Sequence, residues 1–253
     1  MDGLFDDLYE VTEQCLVPII KDQSSRGRSW DRCYSFFQEY HGSNQKQRET
    51  AKELVCLHLG FYLASWGMFR GSGTLIQKDY TIYEQVANLI LQHEYEALWE
   101  PKFFRDLLTS DNRIRHDSQE ISLIFKLKKQ IEDYINSLTV IKNRFEDVEK
   151  AHATDTIISK ILMGTIGCTP AYDTNFRKGL SACEIYRCGS LTATSFARLL
   201  NICRVKGIWP KLQERPVEYY GVVYPVLRVV DLYFWTKGFN ARRDLRKRSS
   251  STE

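Results

Sequence analysis

Residues 154–180 read TDTIISKILMGTIGCTPAYDTNFRKGL, and the parsing of this stretch decides the fold. Thr154 and Thr156 each carry a hydroxyl able to accept from an unpaired amide at a helix start. Ile157, Ile158, Ile161, Leu162, Thr165 and Ile166 recur at helical spacing and form one apolar face. Gly167 stands where such a helix ends, and Pro170 forbids an immediate restart. Ala171-Tyr172-Asp173-Thr174-Asn175-Phe176-Arg177 then sets an acid at the mouth of a second, short helix. A carboxylate on a tight turn between two packed helices is held by rigid elements on both sides, a position suited to chemistry and equally to an ordinary N-cap.

Working outward, the same periodicity recurs in both directions. Residues 3–21 form an amphipathic stripe of Leu4, Leu8, Val11, Cys15 and Ile19, followed by a short aromatic helix over 30–40. A long helix starts near Lys46 and ends in a glycine-rich turn, where Trp66, Phe69 and Arg70 surround Gly67 and precede Gly71 and Gly73. Helices are expected over 80–98, 102–108 and 121–145, the last opened by an Asp117/Glu120 capping box, and another from Thr192. Residues 207–216 read as a loop. The segment 222–235 is apolar nearly all round except for Arg228 and Asp231, which marks it as central and the two charges as a buried pair. No alternating strand pattern and no internal repeat is present, so the expected class is all-α, with residues 1–236 as one folded domain and 237–253 as a flexible tail.

The composition fits that class. Hydrophobic residues at 43% and charged residues at 26% are ordinary for a globular chain. No apolar run reaches the length of a membrane span, and the acidic first residues do not resemble a signal peptide. Seven cysteines without CxxC spacing point to a reduced, cytoplasmic chain, expected to be monomeric. The net charge of +3 is uneven: residues 237–253 hold six basic side chains against two acidic ones and so carry +4 by themselves. Such a tail suits phosphates, or is simply a solvated end. Isolated histidines, loosely spaced cysteines and the absence of GxGxxG, P-loop and GxSxG patterns lead to the expectation of no metal and no cofactor.

An apolar helix, a glycine-containing turn, then Pro-Ala-Tyr-Asp-Thr-Asn-Phe backed by Arg177 and Lys178 resembles the helix-hairpin-helix DNA glycosylases over about twenty residues. Their catalytic aspartate sits in a similar Asp-Thr-Asn segment. The resemblance implies a two-lobed helical fold with a lesion pocket in the cleft, and Asp173 as the carboxylate that stabilises the developing oxocarbenium sugar and directs water to the anomeric carbon. It departs from the family before Ile157, where the glycine hairpin is replaced by Glu149-Lys150-Ala151-His152-Ala153-Thr154. The position of the bifunctional members' lysine falls near Asp155 or Thr156, and neither forms a Schiff base.

The resemblance implies a monofunctional enzyme acting on double-stranded DNA, releasing a damaged, mispaired or modified base. Tyr172 and Asn175 are expected to shape the surroundings of Asp173, and Trp66, Phe69 and Arg70 to hold the flipped base by stacking and hydrogen bonding. Arg144, Arg177, Lys178, Arg242 and Arg243 are expected to grip the phosphate backbone. Lys160 lies toward the polar side of its stripe and is expected to meet solvent or a phosphate. The competing reading is a non-catalytic helical module that binds nucleic acid or protein, as in a bacterial defence or stress system, with Asp173 serving only as a cap.

Overall fold

The computed structural model describes residues 3–69, 77–141 and 148–250, with side chains described outside Ile20 and 245–250. Arg70 and Arg144, both expected site residues, lie outside the described residues. Eleven α-helices are described: α1 (Leu8–Lys21), α2 (Arg28–Gly42), α3 (Gln45–Ser65), α4 (Tyr83–Ile90), α5 (Pro101–Thr109), α6 (Gln119–Ser137), α7 (Asp155–Thr165), α8 (Thr174–Ala182), α9 (Ala193–Val205), α10 (Ile208–Glu214) and α11 (Val226–Ser250). Two antiparallel ribbons, β1 (Thr139–Ile141) with β2 (Val148–Lys150) and β3 (Glu218–Tyr219) with β4 (Val222–Val223), are the described strands. The protein is mainly helical. No described helix is long and apolar enough to cross a membrane.

Local signals set most helix starts. Thr154 accepts from the Ile157 amide, Thr192 from Ser195, and Asn44 closes a capping box with Gln47. For α6 the cap is Ser118, accepting from Ile121, while the Asp117 expected there pairs with Arg115 instead. That helix also stops at Ser137, and the chain turns into a ribbon where the expectation continued it to 145. Residues 208–214, expected as a loop, form α10, and 222–223 form a strand before α11 begins.

The last helix is longer than expected. α11 does not end at Trp235: it runs on to Ser250, so residues 237–250 extend a core helix. Lys237 pairs with Asp7, and the Arg242 guanidinium donates to Asn175 Oδ1 at 2.9 Å.

α7 lies inside the molecule, packed against α2, α3 and α6. Its residues 157–165 are all buried, polar ones included, so it has no solvated face. α11 packs on α8 and α1, and the α8 contact is the most extensive between helices. Two glycines make that crossing close. A Cβ on Gly179 would fall on the carbonyl oxygen of Phe234, and one on Gly238 on the carbonyl oxygen of Asn175. Neither obstacle is a flexible side chain, so the helices would have to separate.

Gly179→Ala and Gly238→Ala should therefore each lower the melting temperature substantially, in the range of overpacked-core changes, about 1–3 kcal/mol or more. Gly42→Ala, where an added Cβ meets nothing within 4 Å, is the control and should be neutral or stabilising. Circular-dichroism melts of the three variants check this.

Candidate active site

The turn between α7 and α8 is pinned by side chains before Asp173 is reached. Thr156 Oγ1 donates to the Tyr172 carbonyl at 2.9 Å, and the Tyr172 amide donates to Ser159 Oγ at 2.8 Å. The Ala171 amide donates to Asp231 Oδ1 at 2.9 Å, and Thr169 Oγ1 to the Ser159 carbonyl at 3.3 Å. Three backbone groups of one short turn are thus fixed by side chains from α7 and α11, a turn hydroxyl is tied back to the α7 backbone, and Gly167 at φ +76° lets the chain leave α7 sharply.

Asp173 is the N-cap of α8. Its Oδ1 accepts from the Asn175 amide at 2.9 Å and the Phe176 amide at 3.0 Å, an arrangement that contributes about 1 kcal/mol to a helix. Oδ2 is not used by the cap and lies 3.8 Å from Lys160 Nζ. The Lys160 ammonium donates to the Trp66 carbonyl at 3.1 Å and sits 5.8 Å from the Trp66 ring centroid. Burial pushes its pKa below the ordinary lysine value, with the Asp173 and Asp231 carboxylates opposing the shift.

The expected exposure of Lys160 is therefore corrected. Its side chain is 5% exposed and does not face solvent. The stripe of isoleucines marks one face of α7, but the remaining faces are also covered, by α2, α3 and α6 and, from α11, by Arg228, whose guanidinium meets Met163 Sδ at 3.8 Å. The one cation of the helix interior turns inward to a carboxylate and a carbonyl.

Behind this pair lies a second one. Arg228 Nη1 donates to Asp231 Oδ2 at 2.7 Å, both residues are buried, and the Arg228 guanidinium also stacks on Trp30 at 4.7 Å. The sequence expectation of a buried Arg228–Asp231 pair holds. Together Lys160, Asp173, Arg228 and Asp231, with Trp66 and Trp235, line a cavity of about 20 Å³. That is room for about one water molecule. Among the described residues no three His, Cys, Asp or Glu side chains come together as a metal-ligand group.

The remaining expected residues separate into those at this cavity and those away from it. Trp66 is there, its ring beneath the Arg26 guanidinium at 5.4 Å and edge-on to Trp235 at 6.3 Å. Phe69 is partly buried against the core nearby in sequence. Tyr172 is not a contact residue: its ring is fully buried against Phe176, and its backbone, not its side chain, braces the turn. The Asn175 side chain accepts from Arg242 rather than orienting Asp173, for which its backbone amide serves. Arg177 is exposed, donating to the Gly189 carbonyl at 2.8 Å and lying 3.9 Å from Asp155. Lys178 and Arg243 are exposed on α8 and α11.

Sequence reasoning missed Trp235 and Phe239, stacked at 5.3 Å with Phe239 exposed at the molecular surface, and Arg26. Their spacing of four on one helix was a usable signal for the aromatic pair. Nothing in the sequence connects Arg26 to Trp66. Neither a family model, nor a curated protein, nor a solved structure matches this chain.

The buried acid gives a pH test of this architecture. Desolvation pushes the Asp231 carboxyl up to about 6, with Arg228 opposing. The native state thus holds that proton more tightly than the unfolded chain does. The stability this contributes is complete below about pH 4 and is lost as the pH rises through about 6. Asp231→Asn cannot titrate. The melting temperature of the parent protein should therefore fall relative to Asp231→Asn between about pH 4 and pH 6, and a constant difference across that window would be the contrary result.

Proposed function

We propose that the protein releases a base from DNA by hydrolysis of an N-glycosidic bond, with Asp173 as the catalytic carboxylate. The observation that carries this reading is the division of labour at Asp173. One oxygen is committed to two helix amides, and the other faces a water-sized cavity beside a buried lysine. A carboxylate held this rigidly requires little reorganisation when positive charge develops opposite it. In the reaction a water oxygen bonds to the anomeric carbon as the carbon–nitrogen bond breaks. The bond electrons leave with the base, and Asp173 takes the proton of the attacking water.

The cavity is too small for a base. In this reading the flipped base stacks on the aromatic rim formed by Trp66, Trp235 and Phe239, with Arg26 above Trp66. Exposed Arg177, Lys178 and Arg243, with Arg242 beside the start of α8, supply the phosphate contacts that dominate affinity. Two of the amides preceding α7 are not free to cradle a phosphate. The Ala151 amide is spent on the Leu138 carbonyl and the Ala153 amide on Asn136. In the non-catalytic alternative, favoured by the complete capping geometry of Asp173, the same basic and aromatic surface binds nucleic acid without chemistry.

Asp173→Asn separates the two. Asn caps about as well as Asp, so the helix start is retained. If the carboxylate is catalytic, base release should slow by about 10²–10³-fold. Stability also drops because Lys160 loses a charged neighbour, so rates are compared well below the melting transition. The readout is alkali-labile sites formed in a panel of modified duplexes, and an unchanged rate ends the assignment.

The position of Lys160 favours one variant of the mechanism. A desolvated amine with a lowered pKa beside the reacting carbon is what covalent attack on the sugar requires. Against it, the ammonium is engaged by Trp66 and faces Asp173. With water as the nucleophile, the products are free base and an intact abasic strand, and borohydride added during turnover traps no protein–DNA adduct. An adduct that disappears in Lys160→Ala would move the nucleophile from water to Lys160.

A further inference from the structure

Between the loop over 112–116 and α9 runs an open groove of about 830 Å³. Arg113, Arg115, His116, Thr194, Arg198 and Asn201 are among its walls, and among the described residues no aspartate or glutamate lines it. The loop turns its cations outward: Ile114 is buried, while Arg113, Arg115 and His116 around it are exposed. α9 fixes that backbone in place. Asn201 Oδ1 accepts from the Ile114 amide at 2.9 Å, and its Nδ2 donates to the Ile114 carbonyl at 2.8 Å. Arg204, farther along α9, donates to the Ser110 carbonyl at 3.0 Å. The loop is thus held at two points by the helix that forms the opposite wall.

Arg115 is bonded to Asp117 at 2.8 and 2.7 Å, which offsets its charge. Arg113 and Arg198, one from each wall, have no hydrogen-bond or ion-pair partner among the described residues. The lining decides the class of ligand. No phenylalanine, tyrosine or tryptophan lines the groove, so it lacks the broad aromatic platform on which single strands stack. Its apolar members, Ile114 and Ala197, are buried, so it offers no apolar centre of the kind a protein interface is built around. Unpaired cations and hydrogen-bonding groups remain, and these suit a chain of repeated anions. From Thr194 to Asn201 the wall rises about 10 Å along α9. That span accommodates roughly three phosphates of one strand of a duplex.

The groove also adjoins cations already assigned to DNA. Arg177 donates to the Gly189 carbonyl, and Thr194 follows five residues later, at most about 18 Å along an extended chain. Exposed Arg187 belongs to this connection, its carbonyl accepting from the Ser195 hydroxyl of α9 at 3.2 Å. We propose that the groove holds the phosphate backbone of duplex DNA flanking the segment at Asp173, through Arg113 and Arg198. The proposal rests on DNA as the partner in the reading above, and not on Asp173 as catalyst.

Fluorescence anisotropy with a labelled duplex of unmodified mixed sequence, between about 50 and 200 mM salt, tests it. Each phosphate contact contributes about 0.9 to the slope of log affinity against log salt. Arg113→Gln and Arg198→Gln should each flatten the slope by about that amount, and each should weaken binding roughly 5–10-fold near 0.1 M salt. Arg215→Gln removes the same charge from a guanidinium that faces Glu13 at 3.2 Å, and should leave the slope unchanged. The double variant should melt like the parent and, at saturating duplex, release base at the parent rate, since neither arginine lines the Asp173 cavity. The proposal is overturned if the double variant keeps the parent's affinity and slope, or if the parent binds no duplex. It is likewise overturned if polyglutamate binds as tightly with the same dependence on the two arginines, which would assign the groove to an acidic protein. A parent that binds duplex through these arginines yet releases no base from any substrate supports the proposal and ends the catalytic reading alone.

Discussion

Direct backbone contact between α8 and α11 is the constraint on which the site depends. Gly179 and Gly238 let the two helices touch through carbonyl oxygens, and that distance fixes where α8 begins. The beginning of α8 is where Asp173 stands, so its carboxylate is placed by the crossing as much as by its own cap. The same crossing carries α11 past Asn175 and delivers Arg242 to the helix start. The Asp231 bond to the Ala171 amide then locks the intervening turn to the same helix. Position, support and surrounding charge thus have a common mechanical origin.

The interior charges have their own logic. Two cations and two carboxylates, Lys160, Arg228, Asp173 and Asp231, surround one small cavity, so the group is neutral as a whole. Each charge is costly to bury alone, and a hydrophobic replacement of a buried pair is often as stable or more so. Stability by itself therefore gives no reason for the cluster. Asp231 does have a structural task, since it accepts from both Arg228 and the Ala171 amide. Lys160 has no comparable one: a carbonyl and a carboxylate at 3.8 Å hold it, and an aliphatic residue would fill the same space. Burying that ammonium costs desolvation, which the Asp173 and Asp231 carboxylates oppose.

Legibility in the sequence followed range. Features set by neighbours a few residues away were readable: the Thr154 and Thr192 caps, the sharp exit at Gly167, the acid at the start of α8, and the Arg228–Asp231 pair three residues apart. Features set by a partner helix were not. Lys160 was assigned to a polar side that does not exist, because a periodic stripe reveals one covered face and is silent about whether the others are covered too. Which glycines mark a backbone contact is likewise silent in the sequence: at Gly164 the Tyr62 ring fills the space, whereas at Gly179 and Gly238 the backbone of the partner helix does. The continuation of α11 was hidden by composition, since a run of arginines has good helix propensity but no apolar stripe. α10 was hidden by Pro210, which reads as a loop signal but is tolerated in the first turn of a helix.

Residues 5–9 are joined to residues 211–237. The Phe5 amide meets the Tyr233 hydroxyl, Asp7 holds both Tyr233 and Lys237, and Tyr9 donates to the Lys211 carbonyl from α10. These contacts span more than two hundred residues. Their consequence is one of timing. During synthesis α1 is made well before α11, the partner of its apolar face. Its docking must wait until α11 is made, and the loop it closes is more than two hundred residues long. Contacts of such separation slow folding, since chain entropy is lost before they form. Docking of α1 on α11 is therefore expected after contacts of shorter span, among them that of α8 with α11.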